Sequence, residues 1–120
     1  MSSFQEIGGV SVLVCEPEGA VIASEADALD LVGNAAWQGA RWVVVPVERL
    51  GEDFFRLRTK VAGDIIQKFV NYRVGLVVLG DVSARTQDSP ALADFVRECN
   101  RGTQTWFLTD LDRLRERLEG

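Results

Sequence analysis

The sequence predicts one α/β domain over residues 1–120, in which a mostly parallel, mixed five-stranded sheet is covered by four helices in the order β-β-α-β-α-β-α-β-α. Two runs, Arg41–Val47 and Val74–Leu79, are rich in β-branched residues, as is typical of strands covered on both faces. Amphipathic helical patterns separate the later strands, and such connections are right-handed crossovers between parallel strands. The length of 120 residues fits a single domain.

The chain is expected to begin with a hairpin. Val10–Cys15 is the first predicted strand and Ala20–Ala23 the second. Between them, residues 16–19 have proline at the second position and glycine at the fourth, as a type I turn prefers. Because a tight turn joins the two strands, the first is predicted to be the antiparallel exception in the sheet.

The first two helices follow from capping and periodicity. The first is predicted to begin after the N-cap Ser24, with Asp27 completing a capping box, and to end near Gln38. Its inward-facing residues are predicted to be Leu29, Val32 and Ala36. The second is predicted to run without a break from Asp53 to Tyr72, with apolar residues at three- and four-residue steps. That apolar face comprises Phe54, Leu57, Val61, Ile65, Phe69 and Tyr72.

The carboxyl-terminal third shows equally clear signals. Ser89 followed by Pro90 is an N-cap and a first helical position, so a third helix is predicted to begin there. Thr103–Leu108 is the last predicted strand, and Asp110 is predicted to cap the fourth helix. The inward face of that helix is predicted to be Leu111, Leu114 and Leu118.

Composition excludes several classes of protein. The chain has 13 basic and 18 acidic side chains and a formal charge of −5, which argues against nucleic acid as a partner. Histidine is absent, which excludes Ser-His-Asp and Cys-His catalysis and histidine-ligated zinc. Cys15 and Cys99 have no Cys-x-x-Cys spacing and are predicted to be buried thiols. We therefore predict no catalytic residue, no metal and no cofactor.

The expected location follows from two patterns that the sequence lacks. No apolar run reaches the roughly 20 residues of a membrane span, and no signal-peptide pattern opens the chain, so we expect a cytoplasmic protein with no membrane partner.

The three tryptophans fall in predicted strands or at a helix end. Trp42 and Trp106 fall in strand patterns and Trp37 at a helix end. All three are predicted to pack in the core or at its edge.

A small and polar stripe on the second helix is the first candidate binding surface. Its members recur at four-residue spacing: Thr59, Gly63, Gln67 and Asn71. Tyr72 lies beside the last of them. Glycine inside a helix costs about 1 kcal/mol relative to alanine, so a compensating close approach of another backbone is expected at Gly63. A neighbouring element of the same chain or a second subunit could make that approach.

The segment after the second buried strand is the second candidate. Residues 80–89 form a long predicted loop at the carboxyl end of a parallel strand, where open α/β sheets place their ligands. Its polar residues could gather a small anion: Asp81, Ser83, Arg85, Thr86 and Ser89. The bland alternative is a solvated loop, since the segment lacks the glycines of a phosphate-binding loop.

A distinctive set of residues runs through much of the chain: the segment 53–69, then Asn71-Tyr72, Gly80-Asp81, and the series Phe95, Glu98, Asn100 and Gly102. In these residues, and over roughly residues 7–108, the chain resembles the bacterial family called domain of unknown function 4180, most densely over residues 53–69. Lys60 departs from it, standing where the family suggests glycine, which argues against a special backbone at that position. Asp64 stands where the family suggests glutamate and keeps the charge.

The element order also resembles the STAS-like fold of anti-sigma factor antagonists, which implies a regulatory module switched by phosphorylation at a helix start. The corresponding residues 50–54 contain no hydroxyl, so the usual phosphoswitch is not expected. Taken together, these observations predict a non-enzymatic regulatory or protein-interaction module with a homodimer or protein partner. The alternative is a small-molecule binding protein or minor enzyme, whose site for an anionic ligand lies at the strand carboxyl ends.

Overall fold

The computed structural model describes residues 2–120. The strands are β1 Ser3–Ile7, β2 Val10–Val14, β3 Trp42–Pro46, β4 Gly75–Leu79 and β5 Thr105–Leu108. The helices are α1 Glu25–Trp37, α2 Glu52–Phe55, α3 Val61–Asn71, α4 Ser83–Asp88, α5 Pro90–Arg101 and α6 Leu111–Glu119. In this part of the chain, no helix has both the length and the apolar character needed to cross a bilayer.

The strands lie side by side in chain order, β1-β2-β3-β4-β5. β1 is antiparallel to β2 and the other neighbours are parallel, which confirms the mixed, mostly parallel sheet. The middle of β3, Val43–Val45, is at most 1% exposed, as expected for a strand covered on both faces. Pro46 ends that strand, where its missing N–H costs no ladder bond.

The strand order decides where the helices lie. Right-handed crossovers that always advance in one direction put α1, α3 and α5 on the same face of the sheet. The larger core forms there, with Val32, Ile65 and Leu92 among its helical members. The opposite face is covered by α6, whose Leu114 packs in a second cluster that includes Trp42.

The prediction that Val10–Cys15 forms a hairpin with Ala20–Ala23 is wrong. β2 pairs with β1 before it, through a turn formed by Gly8 and Gly9 with φ of 58° and 80°. Positive φ at both central residues is the type I′ geometry that matches strand twist, and two glycines adopt it without strain. Of the segment 20–23, only Ile22 forms a bridge, which is isolated and parallel to Leu50.

The prediction of one unbroken helix from Asp53 to Tyr72 is also wrong. It is interrupted between α2 and α3 by a 3-10 turn, Leu57–Thr59, and by Lys60, whose φ of 65° is left-handed. An α-helix cannot pass through a left-handed residue. The special backbone that the sequence argued against at Lys60 is therefore present.

The predicted helix starts are confirmed by their capping bonds. Ser24 Oγ accepts from the Asp27 N–H at 3.2 Å, and Ser89 Oγ accepts from the Leu92 N–H at 3.2 Å. Asp110 Oδ1 accepts in the same way from the N–H three residues later, at 3.0 Å. The inward face of α1 is rotated from the prediction: its buried residues are Ala28, Val32 and Ala35, whereas Leu29 is 40% exposed.

Candidate functional site

The structure divides the predicted polar stripe of the long helix. Gly63, Gln67 and Asn71 are exposed along α3, and Gln67 Nε2 donates to Asn71 Oδ1 at 2.9 Å. Thr59 precedes the break and does not belong to this face. Its hydroxyl lies 2.7 Å from the carbonyl oxygens of both Asp53 and Arg56, where it closes the turn that leads into α3.

The expected close approach at Gly63 is not made within the chain. Apart from its chain neighbours and the backbone of its own helix, a Cβ built at this position meets no atom of the described residues within 4 Å. The helix therefore carries the propensity cost of glycine without an intramolecular packing gain. Of the two alternatives left open by the sequence, only a contact outside the chain would use this space.

The segment 80–89 is more ordered than predicted. Most of it forms α4, so the prediction of a long loop is wrong. Its polar groups serve the local backbone: Asp81 Oδ1 accepts from the Ser83 N–H at 2.8 Å, and Thr86 Oγ1 donates to the Ser83 carbonyl at 3.1 Å. Ser89 caps α5.

Arg85 is held in a fixed position by two neighbours. Its guanidinium makes a bidentate pair with Glu52, with nitrogen–oxygen distances of 2.8 and 2.9 Å, and lies 4.2 Å from the centre of the Phe55 ring. The hydrogen bonds from Arg85 lower the pKa of Glu52, and hydrogen bonds from Ser83 lower the pKa of Asp81. Both carboxylates are thus stabilised as anions.

The two thiols lie in apolar surroundings. Cys15 is buried and Cys99 half-buried, and both are free. Desolvation by burial raises the pKa of each thiol. Reactive cysteines characteristically have a lowered pKa, which is the opposite of the effect of burial at Cys15 and Cys99.

Two shallow clefts flank the segment around Ile22, near the carboxyl ends of the strands. One has a volume of about 180 Å³ and is lined by the start of α2, including Glu52. The other, of about 270 Å³, is lined by Asp27, Asp30 and Arg49. Arg49 is engaged by backbone, since its guanidinium donates to the carbonyls of residues 16 and 20. Apart from Glu52, the partner of Arg85, these clefts do not involve the predicted anion site.

Trp37 is a surface residue that the sequence analysis misplaced. It is the last residue of α1 and is 89% exposed. Its prediction as a core or core-edge residue rested on its place at a helix end and on the packing that is usual for aromatic side chains. With Ala28 as the buried reference, Trp37 lies half a turn away and points outward. The small residues of α1 were the signal that could have placed it.

The carboxyl-terminal ends of α1 and α3 meet at one edge of the sheet. α1 packs against α3, and the strands that follow them start in register, with Trp42 opposite Gly75. We call the surface at this edge the amino-edge patch. It comprises Trp37, Arg41, Asn71, Tyr72 and Arg73, all of which are exposed.

The amino-edge patch is aromatic and basic on an acidic protein. Tyr72 is 45% exposed, and Arg73 holds a left-handed backbone with φ of 58°. Within residues 2–120, neither Arg41 nor Arg73 pairs with a carboxylate. The patch therefore combines exposed ring surface with two uncompensated positive charges.

The chain was compared with protein families, curated proteins and solved structures. The family model described as Domain of unknown function (DUF4180) matches residues 7–118, which is most of the chain. No curated protein and no solved structure matches it. The STAS-like resemblance consequently stays a prediction.

Proposed function

This chain belongs to the family described as Domain of unknown function (DUF4180), and we propose that it is a regulatory protein-interaction module without catalytic activity of its own. The observation that carries the proposal is the 89% exposure of Trp37. Large exposed apolar surface marks interaction sites in soluble proteins, and tryptophan and tyrosine dominate the binding energy at interfaces. Trp37 and Tyr72 supply both residue types to one patch.

The charges of the amino-edge patch indicate the class of partner. Arg41 and Arg73 belong to the same patch as Trp37 and Tyr72, and within residues 2–120 neither arginine has a carboxylate partner. Arginine recognises carboxylates through a planar, bidentate fork. The fitting partner is a protein segment that inserts an apolar side chain between acidic ones.

The polar residues at the carboxyl edge support the non-enzymatic part of the proposal. Arg85 is held by Glu52 and Phe55, and Ser83 binds Asp81. An anionic ligand at this edge would have to displace an existing bidentate pair. The small-ligand alternative therefore stays a prediction with weaker support than the interaction module.

The proposal is tested by selecting ligands for the purified protein from a random peptide library displayed on phage. We expect selected peptides to carry an aromatic or aliphatic residue flanked by aspartate or glutamate. Trp37→Ala should weaken the binding of a selected peptide at least tenfold, because truncating an interface tryptophan typically costs about 2 kcal/mol or more. Arg41→Ala combined with Arg73→Ala should also weaken binding and make it less sensitive to salt.

Val21→Ala is the matched control. Val21 is an apolar residue that is 47% exposed and lies outside the amino-edge patch, so its truncation should leave peptide binding unchanged. Trp37→Ala and Val21→Ala should both remain as stable as the parent protein, since exposed positions tolerate substitution. A library that yields no binding peptide, or a Trp37→Ala variant that binds as tightly as the parent, contradicts the proposal.

A further inference from the structure

The edge strand β1 carries unused backbone hydrogen-bonding groups. The backbone N–H and C=O groups of the odd-numbered residues of β2 point toward β3. This follows because the Ser11 carbonyl accepts from the Arg41 N–H at 2.8 Å and the Cys15 N–H donates to the Val44 carbonyl at 2.9 Å. The even-numbered residues of β2 consequently pair with β1. In an antiparallel pair the bonded residues alternate, so the N–H and C=O groups of Phe4 and Glu6 point away from the sheet.

The opposite edge of the sheet shows how this fold blocks such pairing. Asn100, in α5, covers the free side of β5: its Oδ1 accepts from the Phe107 N–H at 2.7 Å, and its Nδ2 lies 3.3 Å from the Phe107 carbonyl. An amide side chain thus replaces a sixth strand. Among residues 2–120, no side chain makes an equivalent bond to the outer backbone groups of β1. The strand itself includes no proline, no lysine and no bulge in the register, which are common protections of an edge.

Phe4 lies on this open edge. It is 40% exposed and lies opposite Leu13, a member of the larger core, so it extends that core to the margin of the sheet. A large aromatic ring on an exposed edge strand is a feature of strands that pair with another chain. The remaining side chains of β1 that are exposed are Ser3, Gln5 and Glu6.

The sequence of β1 is complementary to itself in one register. In an antiparallel two-fold pair centred on Phe4, the two phenylalanine rings face each other and Glu6 faces Ser2 of the second copy. Cross-strand aromatic pairs are favourable, and no like charges meet. In a pair centred on Gln5, each phenyl ring would instead face a Glu6 carboxylate. A two-fold axis requires one surface to bind itself, and this segment satisfies that requirement.

We propose that two copies of this chain associate through β1, in an antiparallel pair centred on Phe4 that makes one continuous sheet across both subunits. This surface is separate from the amino-edge patch, so the two proposals succeed or fail independently. β1 also lies before the residues matched by the family model, apart from Ile7. The inference therefore concerns this chain and not the family as a whole.

Sedimentation over a concentration series tests the association. We expect the parent protein to form dimers, and we expect Phe4→Lys and Phe4→Glu each to shift it to monomers, because each places like charges opposite one another. Mixing these two variants should restore a heterodimer, since the register then sets lysine against glutamate. The variant Trp37→Ala should remain dimeric.

Amide hydrogen exchange, followed by NMR, tests the register without any substitution. In the dimer the Phe4 and Glu6 amides should exchange slowly, whereas dilution to monomer should make them fast and leave Gln5 and Ile7 protected. A monomeric parent protein overturns the proposal. So does a dimer that survives both Phe4 variants, a mixture of the variants that does not associate, or unprotected Phe4 and Glu6 amides in the dimer.

Discussion

Lys60 adopts a left-handed backbone conformation with φ of 65° between the 3-10 turn and α3. For a residue with a Cβ this conformation costs about 1–2 kcal/mol. Thr59 supports the bend, since its hydroxyl reaches the carbonyls of Asp53 and Arg56. Local bonds thus hold a backbone angle that the lysine side chain itself disfavours.

Replacing Lys60 by glycine should therefore stabilise the protein. Glycine removes the Cβ strain but has a larger entropy in the unfolded chain, so we expect a net gain of about 0.5–1 kcal/mol in the free energy of unfolding. Urea denaturation measures this difference. Lys60→Ala is the control, because it removes the same amine and keeps the Cβ. Equal stability of the glycine and alanine variants would show that the angle stores no strain.

The residues that could be predicted from the sequence are those whose partners are close along the chain. Ser24, Ser89 and Asp110 each bond an N–H three residues ahead, so the capping signal is contained in a few letters. Lys60 gives no comparable signal, because the apolar spacing continues on both sides of it. The exposure of Trp37 depends on which face of α1 meets the sheet, which only tertiary packing decides.

The same distinction holds among the elements. β3, β4 and α5 were predicted near their true bounds because their hydrophobic patterns are strong. β1 was missed because four of its five residues are exposed and it has no apolar alternation. The Gly8-Gly9 pair between Ile7 and Val10 was the signal for the hairpin, whereas the turn expected at residues 16–19 rested on local propensity without a strand to follow it.

For the candidate surfaces, the sequence located elements but not their surroundings. Asn71 and Tyr72 were selected as binding candidates and do lie on an exposed edge. Their neighbour Trp37 could not be added from spacing, because it is far from them along the chain. Arg85 was selected as an anion ligand, but the pairing of α4 with α2 gives it a partner in Glu52.

Arg85 in α4 pairs with Glu52 in α2, and the contribution of this pair to the stability of the fold should depend on pH. Hydrogen bonds from Arg85 lower the pKa of Glu52 in the folded protein, so the pair stabilises the fold above the pKa of the unfolded glutamate. That contribution is lost as the pH falls through the lower, folded pKa. Glu52→Gln should therefore be less stable than the parent at pH 7, with a difference that shrinks as the pH falls below the pKa of the unfolded glutamate.

Urea denaturation at pH 7 and at pH 3 checks this expectation, with Asp53→Asn as the neighbouring control. Asp53 is exposed beside Glu52, and Arg85 bonds Glu52 instead, so the control should not show the same loss of effect on acidification. A difference between Glu52→Gln and the parent that is constant from pH 7 to pH 3 would contradict the role of the charged pair.

At the scale of the whole molecule, the strand order produces two unequal cores. Because successive crossovers place α1, α3 and α5 on one face, the other face depends on α6 and on large side chains of the sheet. Trp42 and Trp106 stack there with ring centres 4.2 Å apart. Two contacts hold Trp106 in the stack. Its Nε1 donates to the Gly102 carbonyl at 2.8 Å, and Cζ of Arg117 lies 4.2 Å from the centre of the Trp106 ring.

Gly75 is the position at which this second core can be tested. A Cβ added there would lie well inside van der Waals contact with the Trp42 ring, and the fixed stack leaves that ring little freedom to move. We expect Gly75→Ala to lower the free energy of unfolding by about 2–3 kcal/mol, as overpacking does. Gly63→Ala is the matched control, because its Cβ meets open space and gains up to about 1 kcal/mol of helix propensity.

Denaturant unfolding compares the two alanine variants, and near-UV circular dichroism reports the tryptophan stack. Adding Trp42→Leu to Gly75→Ala should cost less than the two single effects combined, because a smaller side chain removes the clash. If Gly75→Ala is as stable as Gly63→Ala and keeps the parent spectrum, the stack is not fixed. The face opposite α1, α3 and α5 would then be a loose covering and not a second packed core.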